Sequence, residues 1–453
     1  MLKRYIKTRI SNFVTRIATE VSRDVANQVS RDVANQVSQE VSRDVANQVS
    51  RDVANQVSSE ILDKRLESFQ SDIEANKQLS LLIRNNVINY IQNTKKINDT
   101  FDFDSFIKTY NNPRVIGNLD KWHIEQRNNN LPILFGNTTN FNTLENASDN
   151  LPDADVVYLW GFWDFYKVLP IITLSNKIPL FYIEDGFLKS ILTSPVIGEC
   201  IFHSGISFTV DDLTFYFDAT RPSRLEMMLN SEELVISDEQ KLRAQNLIQL
   251  IVENYLSKYN HQPIKDIEIG ERGKQKILVI DQTVGDYSIT KGLANNDTFN
   301  QMLESAIKDN PNADIIIKTH PDTIAKNDKS TGYYSNLEST DSVYVFTENI
   351  NPISLLKLVD KVYVCTSQMG FEALMCGKEV HVFGMPFYAG WGLTVDKQQC
   401  ARRIKKRTLE EVFYIVYIMY SKYVNPNNKN RCEIEEAISY LLKLKEEYFK
   451  KSN

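Results

Sequence analysis

The stretch KILVIDQTVGDYSIT (276–290) decides the fold of this sequence. Its apolar residues stop at Ile280 and polar residues follow at once, as they do where a buried parallel strand ends. The pattern recurs downstream in ADIIIKTHP (313–321), KVYVCTSQ (361–368) and EVHVFG (379–384), with helical patterns such as TFNQMLESAIKDN (298–310) in between. Strands that alternate with helices are typical of a doubly wound α/β domain. The sequence therefore predicts a Rossmann-like domain over residues 272–425, followed by a C-terminal helix over 426–453.

A second series of short apolar runs lies upstream, in LPILFG (131–136), DVVYLWG (155–161) and IPLFYIED (178–185). Each run ends in glycine or an acidic residue and is predicted to be a strand, with a crossover helix over 162–176. Residues 126–262 are thus predicted to form a first Rossmann-like domain, joined to the second through a helical and then polar connection at about 238–272. Two consecutive α/β domains with a cleft between them suggest the GT-B architecture of nucleotide-sugar transferases.

The first 125 residues follow other patterns. Residues 1–20 predict a basic amphipathic helix, which can bind an anionic membrane surface through residues 1–17 or pack against protein. Residues 21–60 repeat the unit VSRDVANQ with valine at every fourth position. This repeat favours a helical stalk that self-associates, with a poorly ordered segment as the alternative. Residues 61–125 predict further helix.

Composition narrows the class of protein. The 453 residues carry 52 basic and 58 acidic side chains, a net charge of -6, which argues against a nucleic-acid binder. No run approaches the roughly 18 to 20 apolar residues that span a bilayer, and no apolar segment of a signal peptide follows the N-terminal charges. Five cysteines without a C-x-x-C pair indicate reduced thiols. We therefore expect a cytoplasmic protein, with peripheral attachment to the inner face of the cytoplasmic membrane as an option.

Polar residues cluster at the ends of the predicted strands, where open parallel sheets bind their ligands. The candidates are Glu184 and Asp185 in the first domain and Gln282, Asp286, Lys318, His320, Ser367, Gly370 and Glu372 in the second. The helix that begins near Ser367 presents free N–H groups that suit a phosphate, and a carboxylate one turn in can accept from ribose hydroxyls. A capped helix without a ligand, an acidic turn at Glu184 and a structural role for His320 are the alternatives.

The carboxylates divide between the two predicted domains. Glu184 and Asp185 face the cleft from the first domain, and Asp286 faces it from the second. Glycosyl transfer needs one carboxylate to activate the acceptor hydroxyl, and retention of configuration needs another at the anomeric carbon. This distribution fits a glycosyltransferase.

Several blocks of sequence resemble a known family. They include FYIEDGFLKS (181–190), DQTVGDYSI (281–289), KTHPD (318–322), SQMGFEAL (367–374) and FGMPFYAGWGLT (383–394). These blocks are similar to the bacterial capsule polysaccharide biosynthesis family, which includes the β-Kdo transferases that build the Kdo linker of lipid-linked capsules. The resemblance runs in order from about Trp160 to Pro426. Its aromatic block also indicates a rigid loop lining a ligand pocket, or simply a buried loop.

The resemblance implies a GT-B enzyme that transfers Kdo, an acidic eight-carbon sugar, from CMP-Kdo with retention to a lipid-linked or glycan acceptor. The matching positions imply Asp286 at the anomeric carbon, Glu184 and Asp185 at the acceptor, Lys318 and His320 at the phosphate and sugar carboxylate, and Gln282, Ser367, Gly370 and Glu372 at the CMP. CMP-Kdo is a substrate, so no cofactor is expected, and a single phosphate need not require a metal. A transferase for another nucleotide sugar and a non-catalytic scaffold for polysaccharide assembly are the alternatives.

Overall fold

The computed structural model describes residues 103–110, 112–138, 140–143, 153–161, 173, 178–193, 200–319 and 331–452. The predicted N-terminal helix, the repeat and nearly all of the crossover helix at 162–176 therefore lie outside the described residues, as does His320. Both sheets belong to one compact unit, Asp102–Trp163 together with Pro179–Asn453. No helix in the described ranges combines the length and the apolar character that crossing a membrane would take.

The described residues form thirteen strands. They are β1 (Val115–Gly117), β2 (Phe141–Thr143), β3 (Val156–Trp160), β4 (Leu180–Asp185), β5 (Ser207–Asp211), β6 (Lys276–Ile280), β7 (Asp314–Lys318), β8 (Val343–Phe346), β9 (Lys361–Val364), β10 (Glu379–Val382), β11 (Val395–Asp396), β12 (Ser421–Asn425) and β13 (Asn430–Cys432). The strands predicted over 155–161 and 178–185 are confirmed as β3 and β4. The strands predicted in the second domain are confirmed as β6 to β10.

The helices alternate with these strands along much of the chain. They are α1 (Phe103–Lys108), α2 (Leu131–Leu134), α3 (Cys200–His203), α4 (Arg224–Asn230), α5 (Asp238–Glu253), α6 (Tyr287–Lys291), α7 (Asn296–Asp309), α8 (Pro352–Lys357), α9 (Met369–Met375), α10 (Leu409–Phe413) and α11 (Ile434–Ser452), with π-helical turns at His123–Arg127 and Tyr414–Tyr420. α11 covers most of the segment predicted to be the C-terminal helix.

The second sheet has six strands in the order β11-β10-β9-β6-β7-β8, and every neighbouring pair is parallel. Numbered from its own first strand, β6, this is the order 6-5-4-1-2-3, the doubly wound arrangement of Rossmann domains. The parallel α/β sheet predicted from residue 276 onwards is therefore confirmed. The strand order reverses between β6 and β9, and ligands bind beyond the carboxyl ends of the two strands that flank such a reversal.

The first sheet has seven strands in the order β13-β12-β5-β4-β3-β1-β2. β1 to β4 pair in parallel, whereas β5 runs antiparallel to β4. One predicted strand is wrong, because LPILFG begins with the helix α2. Pro132 stands in the first turn of that helix, where its fixed φ and missing N–H are tolerated, and a short apolar run does not by itself distinguish helix from strand. β1 instead lies within the segment predicted to be helical.

The C-terminal part of the chain returns to the first sheet. β12 pairs antiparallel with β5, with Ser421 opposite Thr209, and β13 extends the edge. The structure therefore differs from the predicted boundary at residue 425, since β12, the last strand of that range, belongs to the other sheet. β13 lies in the segment predicted to be the C-terminal helix. β5 and β12 are about two hundred residues apart in the chain, and strand pairing at such a distance leaves no pattern in the local sequence.

An aromatic cluster joins the two sheets. Phe187 follows β4, and its ring lies 4.8 Å from Phe387 and 5.1 Å from Tyr417, centroid to centroid. In the aromatic loop, Trp391 is fully buried and its Nε1 donates to the Phe387 carbonyl at 2.7 Å. The loop is thus mostly core, and its edge at Phe387 reaches a cavity at the carboxyl ends of the strands.

We expect Gly370→Ala to destabilise the protein, because a Cβ at this position overlaps the hydroxyl end of the fully buried Tyr388 and meets Val364 Cγ1 at 2.9 Å. Overpacking of this kind costs about 1–3 kcal/mol. The free energy of unfolding in urea measures the effect. Gly205→Ala is the matched control, since its Cβ meets Lys189 Cγ at an ordinary 3.6 Å. Equal stability of the two variants would contradict this account.

Candidate active site

A pair of hydrogen bonds spans the point where the strand order of the second sheet reverses. Gln282 follows β6 and Thr366 follows β9, and both are buried. Gln282 Nε2 donates to Thr366 Oγ1 at 2.9 Å, and the Thr366 backbone N–H donates to Gln282 Oε1 at 2.9 Å. The bonds hold the carboxyl ends of the two strands in register. They form the floor of a crevice at the location where doubly wound sheets bind ligands.

A cavity of about 700 Å³ opens at this crevice and is lined by residues that follow strands of both sheets. Six of the predicted site residues line it: Glu184, Gln282, Asp286, Lys318, Ser367 and Glu372. A cavity of this size accommodates a nucleotide-sized ligand. Asp185 and Gly370 do not line it, although both are buried next to lining residues.

Asp185 is an internal ion-pair partner. Its Oδ2 lies 2.7 Å from Lys189 Nζ, and both side chains are almost completely buried. Gly370 serves packing in a similar way, because the Tyr388 ring occupies the space beside its Cα and the Tyr388 hydroxyl donates to the Ser367 carbonyl at 2.7 Å. Both residues shape the crevice from behind its surface.

Glu184 lies at the end of β4 and is half-buried. Burial and the neighbouring charge of Asp185 raise the pKa of Glu184 to about 7, while Lys258 counteracts the rise. Its Oε1 accepts from the Asp185 backbone N–H at 3.0 Å. A carboxyl group with a pKa near neutrality can accept a proton during catalysis and release it again.

Asp286 enters the cavity from the second sheet and is exposed. Gly285 precedes it with φ at +87°, a left-handed conformation that glycine adopts without strain. Asp286 then caps α6, with Oδ1 accepting from the Ser288 backbone N–H at 2.7 Å. The turn and the cap orient this carboxylate before any ligand arrives.

Lys318 at the end of β7 is 7% exposed, and its Nζ is already engaged. It donates to the carbonyls of Thr319 at 3.2 Å and Glu348 at 3.1 Å. Burial lowers the pKa of Lys318 to about 8, an effect that the carboxylate of Glu348 partly offsets. Lys318 is therefore a weaker anchor for an anion than a freely exposed lysine.

Glu372 in α9 is 3% exposed, although it reaches the cavity wall. Its Oε1 accepts from Ser257 Oγ at 2.7 Å and from Gln368 Nε2 at 3.3 Å, and the Lys258 backbone N–H also donates to the carboxyl group. Burial raises the pKa of Glu372 to about 7, against the opposing effect of these hydrogen bonds. Ser367 precedes the helix, and its Oγ accepts from the Met369 backbone N–H at 3.2 Å.

Several residues that line the cavity are not among the predicted site residues, and three of them are Tyr216, Ser257 and Lys258. Tyr216 lies close enough to interact electrostatically with carboxylates of both halves, those of Glu184 and Asp286. Burial raises its pKa to about 12, the positive charge of Lys258 opposes the rise, and those carboxylates add to it. The predicted site residues were chosen because they follow parallel strands. None of these three does, so their place in the sequence does not mark them as site residues.

Comparisons with known proteins bear on what this site does. Residues 155–428 match the family described as capsule polysaccharide biosynthesis protein, more than half of the chain. The chain belongs to that family. The capsule polysaccharide modification protein LipA of Neisseria meningitidis serogroup B is 39% identical over 302 residues, which are 65% of this chain and 42% of LipA. The lipopolysaccharide-processing protein LpsZ of Rhizobium meliloti is 36% identical over 289 residues, 62% of each chain. The chain thus spans less than half the length of LipA.

Two solved structures from Thermosulfurimonas dismutans are similar in fold. The KpsC β-Kdo 2,4 transferase is 33% identical with a TM-score of 0.64, and the match covers 74% of this chain and 99% of that one. The KpsC β-Kdo 2,7 transferase is 28% identical with a TM-score of 0.52, over 73% and 99% of the two chains. The family predicted from the sequence blocks is therefore confirmed.

We expect Glu372→Gln to change how stability depends on pH. Below about pH 4.5 the carboxyl is protonated in both folded and unfolded chains, and between about 4.5 and 7 the unfolded chain ionises first. The Glu372 carboxyl therefore makes wild type less stable as pH rises through this window, and the variant lacks this contribution. The difference in the free energy of unfolding should grow by on the order of 3 kcal/mol from pH 4.5 to 7.

Urea unfolding of both proteins at several pH values measures this difference. Glu304→Gln, at an exposed position of α7, is the matched control for the substitution itself. Stability curves for Glu372→Gln and wild type that stay parallel across the window would show that this carboxyl is not the group responsible.

Proposed function

We propose that this chain is a glycosyltransferase that moves Kdo from CMP-Kdo, with retention, to a lipid-linked or glycan acceptor in capsule polysaccharide biosynthesis. One observation carries the proposal. The crevice at the strand-order reversal of a Rossmann-type sheet holds Asp286 and faces Glu184 of the other sheet across a single cavity. Family membership and the likeness to a β-Kdo 2,4 transferase support the choice of sugar. The GT-B pairing of the two sheets is part of the same proposal.

The first half of the proposed reaction uses Asp286. Its carboxylate attacks the anomeric carbon of Kdo, the bond from that carbon to the phosphate oxygen breaks, and CMP leaves with the electron pair. A covalent glycosyl ester on Asp286 results. The Ser288 N–H holds Oδ1, so Oδ2 is the proposed attacking atom. Lys318 and His320 are proposed to hold the phosphate, and Gln282, Ser367 and the wall at Glu372 to bind the nucleotide.

The second half uses Glu184. It takes the proton of the acceptor hydroxyl, whose oxygen attacks the same carbon and releases Asp286. Two successive inversions return the original configuration, which is the meaning of retention. A pKa of about 7 allows Glu184 to be ionised when the acceptor binds and to carry the proton afterwards. Asp185 and Lys189 hold the loop after β4 through their ion pair, so we assign Asp185 a positioning role.

The donor can be tested directly with a panel of nucleotide sugars, because a ligand that binds only the folded state raises its melting temperature. CMP-Kdo should stabilise the full chain more than other CMP- or UDP-sugars, and CMP release should continue beyond one equivalent per enzyme only when an acceptor is present. If only a UDP-sugar stabilised the protein, CMP-Kdo would be wrong as the proposed donor.

Membrane contact through residues 1–17 and self-association through 21–60 stay predictions. Removing residues 1–60 and measuring vesicle binding and oligomeric state tests both.

Asp286→Ala should abolish transfer, because no carboxylate remains to form the glycosyl ester. We expect CMP release in the presence of acceptor to fall by at least about 10³-fold. CMP affinity should stay within about threefold, since the carboxylate contacts the sugar and not the nucleotide. Asp266→Ala, an exposed aspartate in the connection between the sheets, is the control. Substantial turnover by Asp286→Ala would remove the nucleophile from this scheme.

Glu184→Gln should lower kcat by about 10²–10⁴-fold, as expected when a general base is lost. In wild type, kcat/KM should rise with pH and level off above about pH 7, because the base acts only after it has lost its proton. That acidic limb should be absent from the residual activity of the variant. A pH profile measured at constant ionic strength decides the matter. An unchanged limb near pH 7 in Glu184→Gln would assign the base to another group.

A further inference from the structure

Lys258 has a backbone that both halves of the molecule hold in place. Its carbonyl accepts from the N–H groups of Lys189 at 3.0 Å and Ser190 at 3.2 Å, in the loop after β4. Its own N–H donates to the carboxyl group of Glu372 in α9. A residue fixed on both sides presents its side chain from a defined position, which lowers the entropy cost of binding a ligand.

The side chain of Lys258 lines the cavity and is half-buried. Among the described residues, no oxygen accepts a hydrogen bond from its Nζ, which lies 5.8 Å from the centroid of the Tyr259 ring. The carboxylates of Asp185 and Glu184 act on it through their charge. Each of the two other lysines at the crevice already has partners in the fold. Lys189 Nζ pairs with Asp185 at 2.7 Å, and Lys318 Nζ donates to two backbone carbonyls. Lys258 therefore offers three N–H donors to whatever enters the cavity.

The surroundings keep this ammonium charged. Burial by itself would lower the pKa of Lys258, but Tyr216, Tyr259 and the carboxylates of Asp185 and Glu184 raise it above its usual value. The charge of Asp185 is already matched by Lys189. When Glu184 carries a proton, none of these groups supplies a negative charge to pair with the Lys258 ammonium. An anionic group of the ligand would then neutralise the positive charge of Lys258.

We propose that Lys258 binds the carboxylate of an acidic sugar in this cavity and so makes the site select acidic over neutral sugars. The inference rests on the proposed function and names the feature of the substrate that the site reads. Kdo carries a carboxylate on its anomeric carbon. The same group is present in a CMP-Kdo donor and in an acceptor that ends in Kdo, so the chemistry of recognition is shared and the source is decided by experiment.

The direct test compares the binding of free Kdo with that of its neutral C1 amide by calorimetry. Wild type should bind the acid about 10- to 100-fold more tightly than the amide, as a charge-assisted hydrogen bond predicts. Lys258→Gln should bind both within about twofold, whereas Lys258→Arg should restore part of the preference. Lys443→Gln, at an exposed position of α11, is the matched control and should behave as wild type.

Two results would overturn the inference: a Lys258→Gln protein that folds and still prefers the acid, or a wild type that does not prefer it. Folding is checked by circular dichroism and by the melting temperature of Lys258→Arg beside Lys258→Gln. Because binding needs no turnover, a wild type that prefers the acid but transfers nothing would reject the proposed function and leave the Lys258 site standing.

Steady-state kinetics then identifies which carboxylate Lys258 binds. An increase of about tenfold or more in KM for CMP-Kdo in Lys258→Gln, at saturating acceptor, assigns the contact to the donor. The same increase in KM for the acceptor, at saturating CMP-Kdo, assigns it to the acceptor. If wild type turns over and neither KM changes, Lys258 does not bind substrate and the inference is wrong.

Discussion

One buried carboxyl group holds the crevice together. Glu372 is 3% exposed, and a carboxyl group at that depth destabilises the fold unless donors surround it. Ser257 Oγ and Gln368 Nε2 supply them, and the same Gln368 amide nitrogen donates to the Phe187 carbonyl at 2.8 Å. The hydrogen bond from Ser257 to this carboxyl group therefore holds the connection between the sheets against α9. Gln368 also ties the loop after β4 to the same helix. The walls of the cavity follow from that constraint.

The ionisable groups of the crevice are tuned by burial in opposite directions. Desolvation disfavours charge, so it raises the pKa of Glu184 to about 7 and lowers that of Lys318 to about 8. Lys258 escapes this rule because several acidic groups face it. The site thus holds a carboxyl group that exchanges its proton near neutral pH beside an ammonium that stays charged. This combination suits proton transfer next to an anionic substrate.

Local pattern was sufficient for most of the second sheet, because each strand there is a buried apolar run that ends in polar residues. It failed at LPILFG, where an apolar run of six residues fits a helix turn as well as a strand and Pro132 favours the helix. It also failed at β12 and β13, which complete the first sheet from the far end of the chain. Strand pairing between distant segments depends on the tertiary fold and not on the residues nearby.

For the site, the sequence alone determined which residues end the strands, and six of the nine residues chosen on that basis line one cavity. It also determined the family, through blocks whose residues are too specific to arise from a fold requirement. Only the tertiary structure decided that Asp185 pairs with Lys189 behind the cavity and that Gly370 makes room for Tyr388. The tertiary structure alone brought in Lys258, since its neighbours come from segments far away in the chain. Burial and the charges of such neighbours, which no local spacing encodes, decide what each of these side chains can do.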